Sequence, residues 1–378
     1  MTGGAAAGFV PPAYPYDRLD RARALAAAHE GGVVDLSVGT PCDPPPAAVV
    51  DALARSGTER GYPASVGSPA LREAAAGWLG RRLGAAVEPA AVAACVGTKE
   101  FVATTPQWMR LRRPDRDTVL YPAVSYPTYE MGAVLAGLRA VAVPVDTEWR
   151  LRLDAVSEED AARALLLWVN TPGNPAGQLD DLEAAATWGR AHGVPVFSDE
   201  CYAEFTWDGP PRTVLAAGSD GVVAVHSLSK RSNLAGVRVG FYAGDADLVH
   251  YLSEVRKHAG LMVPGPVQAA AVVALSDQGH VEEQRERYRS RLERFAKVLA
   301  AVGTPVPLPG GGFYLWPRAP EAPDGRDPAW ALTERLAAAG GVLVSPGEFY
   351  GAAGAAHVRV ALVAPDDRLD LVARRLGV

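Results

Sequence analysis

Uncharged runs rich in Val, Ala and Leu recur through the middle of the chain. Between them lie longer stretches whose apolar positions return every three or four residues. The runs predict strands over 91–96, 118–121, 139–145, 164–169, 194–198, 221–227 and 237–243, and the stretches between predict helices over 98–110, 127–137, 178–192 and 246–258. Strands that do not alternate apolar with polar residues are covered on both faces. Their alternation with helices therefore predicts βαβ units around a mostly parallel sheet. Ahead of this region the pattern gives a helix over 17–29, a short strand over 33–36 and a helix over 47–55. Ser68-Pro69 then starts another helix, a capping hydroxyl followed by a proline whose missing N–H is harmless in the first turn.

Past residue 265 the rhythm changes. The uncharged run 259–276 is long enough to cross a bilayer, but Pro264, Gly265, Pro266 and Gln268 interrupt it, which predicts a loop entering a buried helix. A long helix over 281–302 is expected to place Glu282, Glu283, Arg285, Glu286 and Arg287 on a solvated face. A strand over 313–316, a helix over 328–339, strands over 342–344 and 357–362 and a last helix complete a smaller unit. The expected fold class is α/β: a large domain with a mostly parallel sheet flanked by helices, plus a smaller α+β domain. The expected division is 1–45 as N-terminal arm and part of the small domain, 46–265 as the large domain and 266–378 as the small C-terminal domain.

Composition narrows the functional classes. With 378 residues, 48% hydrophobic and 21% charged, the chain has ample material for a large core and the make-up of a soluble globular protein. A net charge of −6 with acids and bases interspersed argues against a nucleic-acid surface. The start lacks a basic segment and a long apolar core, so neither a secretory leader nor a membrane partner is expected. Cys42, Cys95 and Cys201 are odd in number and far apart, which predicts no disulfide framework and a reducing, cytoplasmic setting. The seven histidines show no metal-ligand spacing, and no metal is expected.

Ligands of an open α/β sheet lie beyond the carboxyl ends of its strands, and the polar residues gather there. Run 221–227 leads into Ser227, Ser229 and Lys230, with Arg238 eight positions further on. A lysine flanked by hydroxyls and followed by an arginine is equipped to bind a phosphorylated aldehyde as a Schiff base, with the hydroxyls and guanidinium on the phosphate. Thr98 and Lys99 open the helix after 91–96, where free N–H groups form an anion site. Tyr126 follows 118–121 and offers a ring to stack on a heterocycle; Asn174 follows 164–169 in a Pro/Gly loop. Asp199 follows 194–198 and, desolvated, calls for a cationic partner such as a protonated ring nitrogen. Each has an ordinary alternative as a cap, turn or packing residue; together they suit one cofactor. Arg359, alone in an apolar strand, calls for an anion, either a substrate carboxylate or an interdomain acid.

This set, with Gly39 in Ser-Val-Gly-Thr-Pro, Tyr62 and Tyr202, resembles the fold-type-I, pyridoxal-5′-phosphate-dependent aminotransferases from about residue 14 to the end. The resemblance makes 46–265 the cofactor-binding domain and implies a role for each residue. Lys230 would carry the Schiff base. Asp199 would pair with the pyridinium nitrogen, and Asn174 and Tyr202 with the phenolic oxygen. Tyr126 would stack on the ring, while Thr98, Lys99 (through its backbone), Ser227, Ser229 and Arg238 hold the phosphate. Tyr62 would reach the phosphate of a neighbouring subunit, implying a homodimer, and Arg359 with the Gly39 backbone would clamp the substrate carboxylate. Stretches 35–41, 198–202, 226–236, 256–260 and 357–362 look most like the actinobacterial-type N-succinyldiaminopimelate aminotransferases, which implies an amino acid and a 2-oxo acid as substrates and a place in lysine biosynthesis. For the distal carboxylates of such a substrate, Lys99, Arg231, Arg256 and Lys257 are the basic candidates. The alternatives are an aminotransferase for aspartate, alanine or aromatic substrates, or a carbon–sulfur lyase using the same cofactor. Ala176 departs from the threonine usual in the family's Asn-Pro-x-Gly loop.

Overall fold

The computed structural model describes residues 8–323 and 325–378; residues 1–7 of the expected N-terminal arm lie outside them. Seven strands form the central sheet, in the spatial order Val92–Cys95, Gly240–Gly244, Val222–Ser227, Val196–Asp199, Ala164–Asn170, Thr118–Pro122 and Arg139–Val143. Both faces are covered, which is why the runs carry no alternation. Ala93, Cys95, Val119, Trp168, Phe197, Val223 and Tyr242 pack into one layer. Their neighbours Val92, Ala94, Leu120, Leu167, Val196, Ala224 and Phe241 pack into the other.

One strand departs from the βαβ scheme. Gly240–Gly244 begins later than the expected 237 and runs antiparallel to both of its neighbours. The connection over 228–239 holds only the one-turn helix Leu228–Arg231 and the 3-10 turn Ala235–Val237. A parallel return needs a crossover across a sheet face, and this segment is too short to make one. The reversal has a useful effect: the start of this strand, not its end, lies beside the carboxyl ends of the others.

Helix Pro69–Leu83 starts as expected, with the Ser68 hydroxyl accepting from the Leu71 N–H and Gly84 ending it in the left-handed conformation. Helix Gly265–Ser276 is the buried helix expected after the proline-broken loop. It packs on Ala47–Arg55 and Pro69–Leu83, and Ala270, Ala271, Ala274 and Leu275 join the core of the large sheet. The expected boundary at 265/266 therefore cuts through one core, and we propose that the smaller domain begins at Gly279–Ala301. Beyond that helix, Tyr314–Leu315, Val358–Ala361 and Ser345–Pro346 form a small antiparallel sheet, and Val34–Asp35 pairs in parallel with Val342–Leu343. Of the charges expected on a solvated face of the long helix, Arg285 turns inward. Its guanidinium bonds to the Glu204 and Thr206 carbonyls and lies over the Trp207 ring. The planar guanidinium satisfies carbonyls that the apolar packing would leave bare.

Arg291 of the same helix fastens the N-terminal segment. It donates to both Asp43 oxygens at 2.6 and 2.8 Å and to Asp366 at 3.2 and 3.3 Å, with its side chain 1% exposed. Removing one partner of such a buried pair strands the others. Arg291→Ala is expected to lower stability by about 3 kcal/mol or more, measured as a fall in the urea midpoint, whereas Arg294→Ala on the exposed face changes it by less than about 0.5 kcal/mol.

Candidate active site

The carboxyl edge of the sheet opens into a cavity of about 590 Å³ lined by Gly39, Thr98, Lys99, Tyr126, Asn174, Asp199, Tyr202, Ser227, Ser229, Lys230, Arg238 and Arg359. Every residue expected to hold the cofactor or the substrate's α-carboxylate is there except Tyr62, which is fully exposed and lies elsewhere.

At one end stand hydroxyls and a guanidinium. The Ser227 hydroxyl caps the one-turn helix by accepting from the Ser229 N–H at 3.1 Å. Arg238 precedes the reversed strand in the left-handed region, φ +62°, a conformation uncommon for a side-chain-bearing residue. Its guanidinium tip lies against Gly97, whose φ of +76° is the left-handed conformation that favours glycine. Lys230 reaches back from the one-turn helix to donate to the Gly39 carbonyl. Burial lowers its pKa to about 8, Cys201 pulls the other way, and the Arg359 and Arg238 charges add to the lowering.

Asp199 ends its strand buried, and burial raises its pKa above the usual carboxylate value. The Tyr129 hydroxyl donates to one oxygen at 2.8 Å and the Cys201 N–H to the other at 3.2 Å. Asn170 holds the adjoining loop, donating to the Asp199 carbonyl and accepting from the Asn174 N–H. Asn174 in turn accepts from Arg359 through Oδ1 at 2.8 Å, which leaves its amide N–H groups to serve a ligand.

Arg359 decides between the two readings open to it. It is 2% exposed and donates to the Asn174 side chain, the Ser37 carbonyl and the Tyr16 hydroxyl, while its charge lies over the Tyr314 and Tyr350 rings at 4.4 and 4.7 Å. Among the described residues no carboxylate pairs with it, and its Nε has no hydrogen-bond partner. A buried cation without a carboxylate partner suits an anionic ligand better than an interdomain salt bridge.

The family profile for "Aminotransferase class I and II" matches residues 31–376. The chain belongs to that family. A probable aminotransferase of Mycobacterium tuberculosis is 44% identical over 97% of this chain and 85% of its own length. The 4-dedimethylamino-4-oxo-anhydrotetracycline transaminase OxyQ of Streptomyces rimosus is also 44% identical, over 97% of this chain and 99% of its own. The solved structure of a probable N-succinyldiaminopimelate aminotransferase from Thermus thermophilus superposes with a TM-score of 0.85 at 33% identity, covering 96% of this chain and 98% of that one.

The cofactor of this aminotransferase is pyridoxal 5′-phosphate, and the cavity fits it. A guanidinium and hydroxyls suit a phosphate, a buried carboxylate held by a phenol suits a protonated ring nitrogen, and a desolvated lysine amine suits an aldehyde. Further lining residues that sequence reasoning does not single out include Tyr129, Asn170 and Tyr314. Tyr314 is 1% exposed, and its hydroxyl meets that of Tyr202 at 2.7 Å. The phenols sit in stretches that read as ordinary packing, so only the spatial pairing marks them.

Two basic candidates for distal carboxylates are already committed elsewhere. Arg231 is buried against Glu204, Ala274 and Ser232, and Arg256 forms a two-pronged pair with Glu100 at 2.7 Å on both arms. Lys257 lies exposed beside Glu254, away from the cavity. Lys99 remains, at the mouth, with its ammonium over the Tyr14 and Tyr126 rings at 5.5 and 6.0 Å. Asp277, His280 and Ser232 are hydrogen-bonded in series at 2.8 and 2.9 Å, as in a hydrolase triad, but Ser232 is wholly buried and no substrate reaches it.

At the ends of the central strands Val196–Asp199 and Val222–Ser227, Glu200 faces His226 across 3.3 Å, both buried, with the imidazole packed on Trp78 and Phe241. Burial raises Glu200 to about 8 and lowers His226 to about 3, so the pair is neutral and adds no second negative charge beside Asp199. Glu200 takes up a proton on folding across the window from its ordinary 4.5 to about 8. Stability from this group is therefore present at the acid end and lost as pH rises. Relative to Glu200→Gln, the wild-type melting temperature is expected to fall between about pH 5 and pH 8; parallel curves across that range contradict a neutral Glu200.

Proposed function

We propose that this aminotransferase exchanges an amino group between N-succinyl-LL-2,6-diaminopimelate and 2-oxoglutarate, giving N-succinyl-2-amino-6-oxopimelate and glutamate, reversibly, in lysine biosynthesis. The observation that carries the transamination is the convergence in one cavity of the Lys230 amine, the buried Asp199 carboxylate and the Arg359 charge without a carboxylate partner. The substrate reading rests on the resemblances above and on Lys99 standing at the rim to meet a second carboxylate.

Bound pyridoxal phosphate supplies the aldehyde that takes the amino group and a ring that accepts electron density from the reacting carbon. The residues of the chain do the rest. Arg238, Ser227, Ser229 and the N–H groups opening helix Thr98–Arg112 hold the phosphate, and Tyr126 covers the ring. Asp199, steadied by Tyr129, keeps a proton on the ring nitrogen, and Tyr202 donates to the phenolic oxygen. Arg359 takes the substrate carboxylate, fixing Cα beside Lys230. With its pKa lowered to about 8, Lys230 is partly unprotonated near neutrality and would serve as the base that takes the proton from the substrate's Cα. Tyr62, exposed on its own protomer, is assigned to the phosphate of a second copy in a homodimer.

A second reading is favoured by the 44% identity to OxyQ, whose name gives it a polycyclic ketone as substrate. The aromatic rim of Tyr14, Tyr16 and Tyr126 offers surface for a flat ring system.

Lys230→Ala is expected to yield no covalent cofactor adduct after borohydride reduction and to lose at least about a thousandfold in turnover; retained turnover overturns the assignment. Adding glutamate alone is expected to convert the bound cofactor to its amine form, which separates a transaminase from a lyase. A panel of succinylated, acetylated and free diaminopimelate, aspartate, alanine, aromatic amino acids and a polycyclic ketone then chooses the substrate. Preference for any but the succinylated compound sinks the diaminopimelate reading.

A further inference from the structure

We propose that Tyr314 is a positioning residue of the transamination site: its hydroxyl donates to the Tyr202 oxygen and so directs the Tyr202 proton at the phenolic oxygen of the bound cofactor. The inference rests on the reading of the site given above.

Tyr202 and Tyr314 are both buried, their oxygens lie 2.7 Å apart, and neither hydroxyl has another hydrogen-bond partner among the described residues. Only one of the two protons can lie on the line between them; the other points elsewhere. Around Tyr314 nothing else is ready to accept it. Its oxygen abuts Gly39 so closely that a Cβ there would collide with it, and a Cα–H is no acceptor. Its ring face is covered by the Arg359 guanidinium at 4.4 Å, a group that only donates. Both phenols line the cavity, and on the reading of the site given above it is Tyr202 that meets the cofactor's phenolic oxygen. The arrangement with fewest unsatisfied protons has Tyr314 donating and Tyr202 turned to the ligand. A hydroxyl that accepts one hydrogen bond becomes a stronger donor in the next, and the Arg359 charge over the Tyr314 ring strengthens the first donor in the row.

Tyr314 is well held for this task. Its strand pairs with Val358–Ala361, with Ala361 opposite Tyr314 and Val360 opposite Leu315. That register places it two residues from Arg359 on the partner strand. Phe313 packs edge-on against the Tyr202 ring at 5.3 Å. One side chain thus touches the carboxylate clamp on its face and the cofactor's phenolic partner at its tip.

The test is a pH titration of the bound cofactor's absorbance in wild-type, Tyr314→Phe, Tyr202→Phe and doubly substituted protein. Phenylalanine keeps the ring over Arg359 and beside Gly39, so the fold and the clamp stay in place. A donor to the phenolic oxygen stabilises its negative charge and makes the neighbouring lysine–cofactor nitrogen easier to deprotonate. Weakening that donor therefore raises the apparent pKa of the linkage. Tyr314→Phe is expected to raise it by about half a unit, less than Tyr202→Phe does, and to add nothing once Tyr202 is already Phe. An unchanged pKa in Tyr314→Phe, or a shift that persists in the double variant, overturns the inference while leaving the site intact. A wild-type protein that takes up no pyridoxal phosphate overturns the reading of the site and the inference with it.

Discussion

A sheet buried on both faces offers polar groups only one place to stand, its edge. In this protein the faces are filled by two apolar layers that share alternate residues of the same strands. A charge within either layer would lose its hydration without recompense. The chemistry is thereby confined to the residues at which the strands stop: Gly97 and Thr98, Tyr126, Asn170 and Asn174, Asp199, Ser227 and Lys230. The reversed strand Gly240–Gly244 obeys the same constraint from the other direction and contributes Arg238 from its beginning. The small antiparallel sheet closes the opposite wall with Tyr314 and Arg359.

Confinement at an edge also sets the electrostatics. Groups there are withdrawn from water, and burial, the first cause of the shifts at Asp199, Lys230 and Glu200, pushes each towards its neutral form. Arg359 resists, because the phenols around it favour the charge and a guanidinium holds its proton. The result is a pocket whose own charges are few, held in readiness for a ligand that brings a phosphate, a ring cation and carboxylates. The neutral Glu200–His226 pair beside the strand ends of Asp199 and Ser227 does not compete for those charges.

The central strands were legible because burial on both faces writes an uncharged run into the sequence, and the helices because their exposed faces keep charges. The two-residue pairings Val34–Asp35 with Val342–Leu343, and Ser345–Pro346 with Val358–Ala361, leave too little pattern to read in full. The direction of Gly240–Gly244 is set by the short connection before it, not by its own residues. At the site, lysine, aspartate and arginine stand out wherever they interrupt an apolar run. Tyr129 and Tyr314 do not, since a phenol in a core stretch is unremarkable until its partner, 70 or 112 residues away, is placed against it. Arg231 and Arg256 show the converse. Their charge is visible in the sequence, but Glu204 and Glu100, which consume it, are remote along the chain.

The buried guanidinium of Arg359 carries a consequence for selectivity. In the proposed exchange between two acids that visit the same pocket in turn, it would meet only the feature both possess. It cannot tell one from the other; it admits a class. On that proposal discrimination would fall to the rim, where Lys99 lies over the Tyr14 and Tyr126 rings. The protein thus separates the question of what may react from the question of which molecule does, and answers them at opposite ends of one cavity.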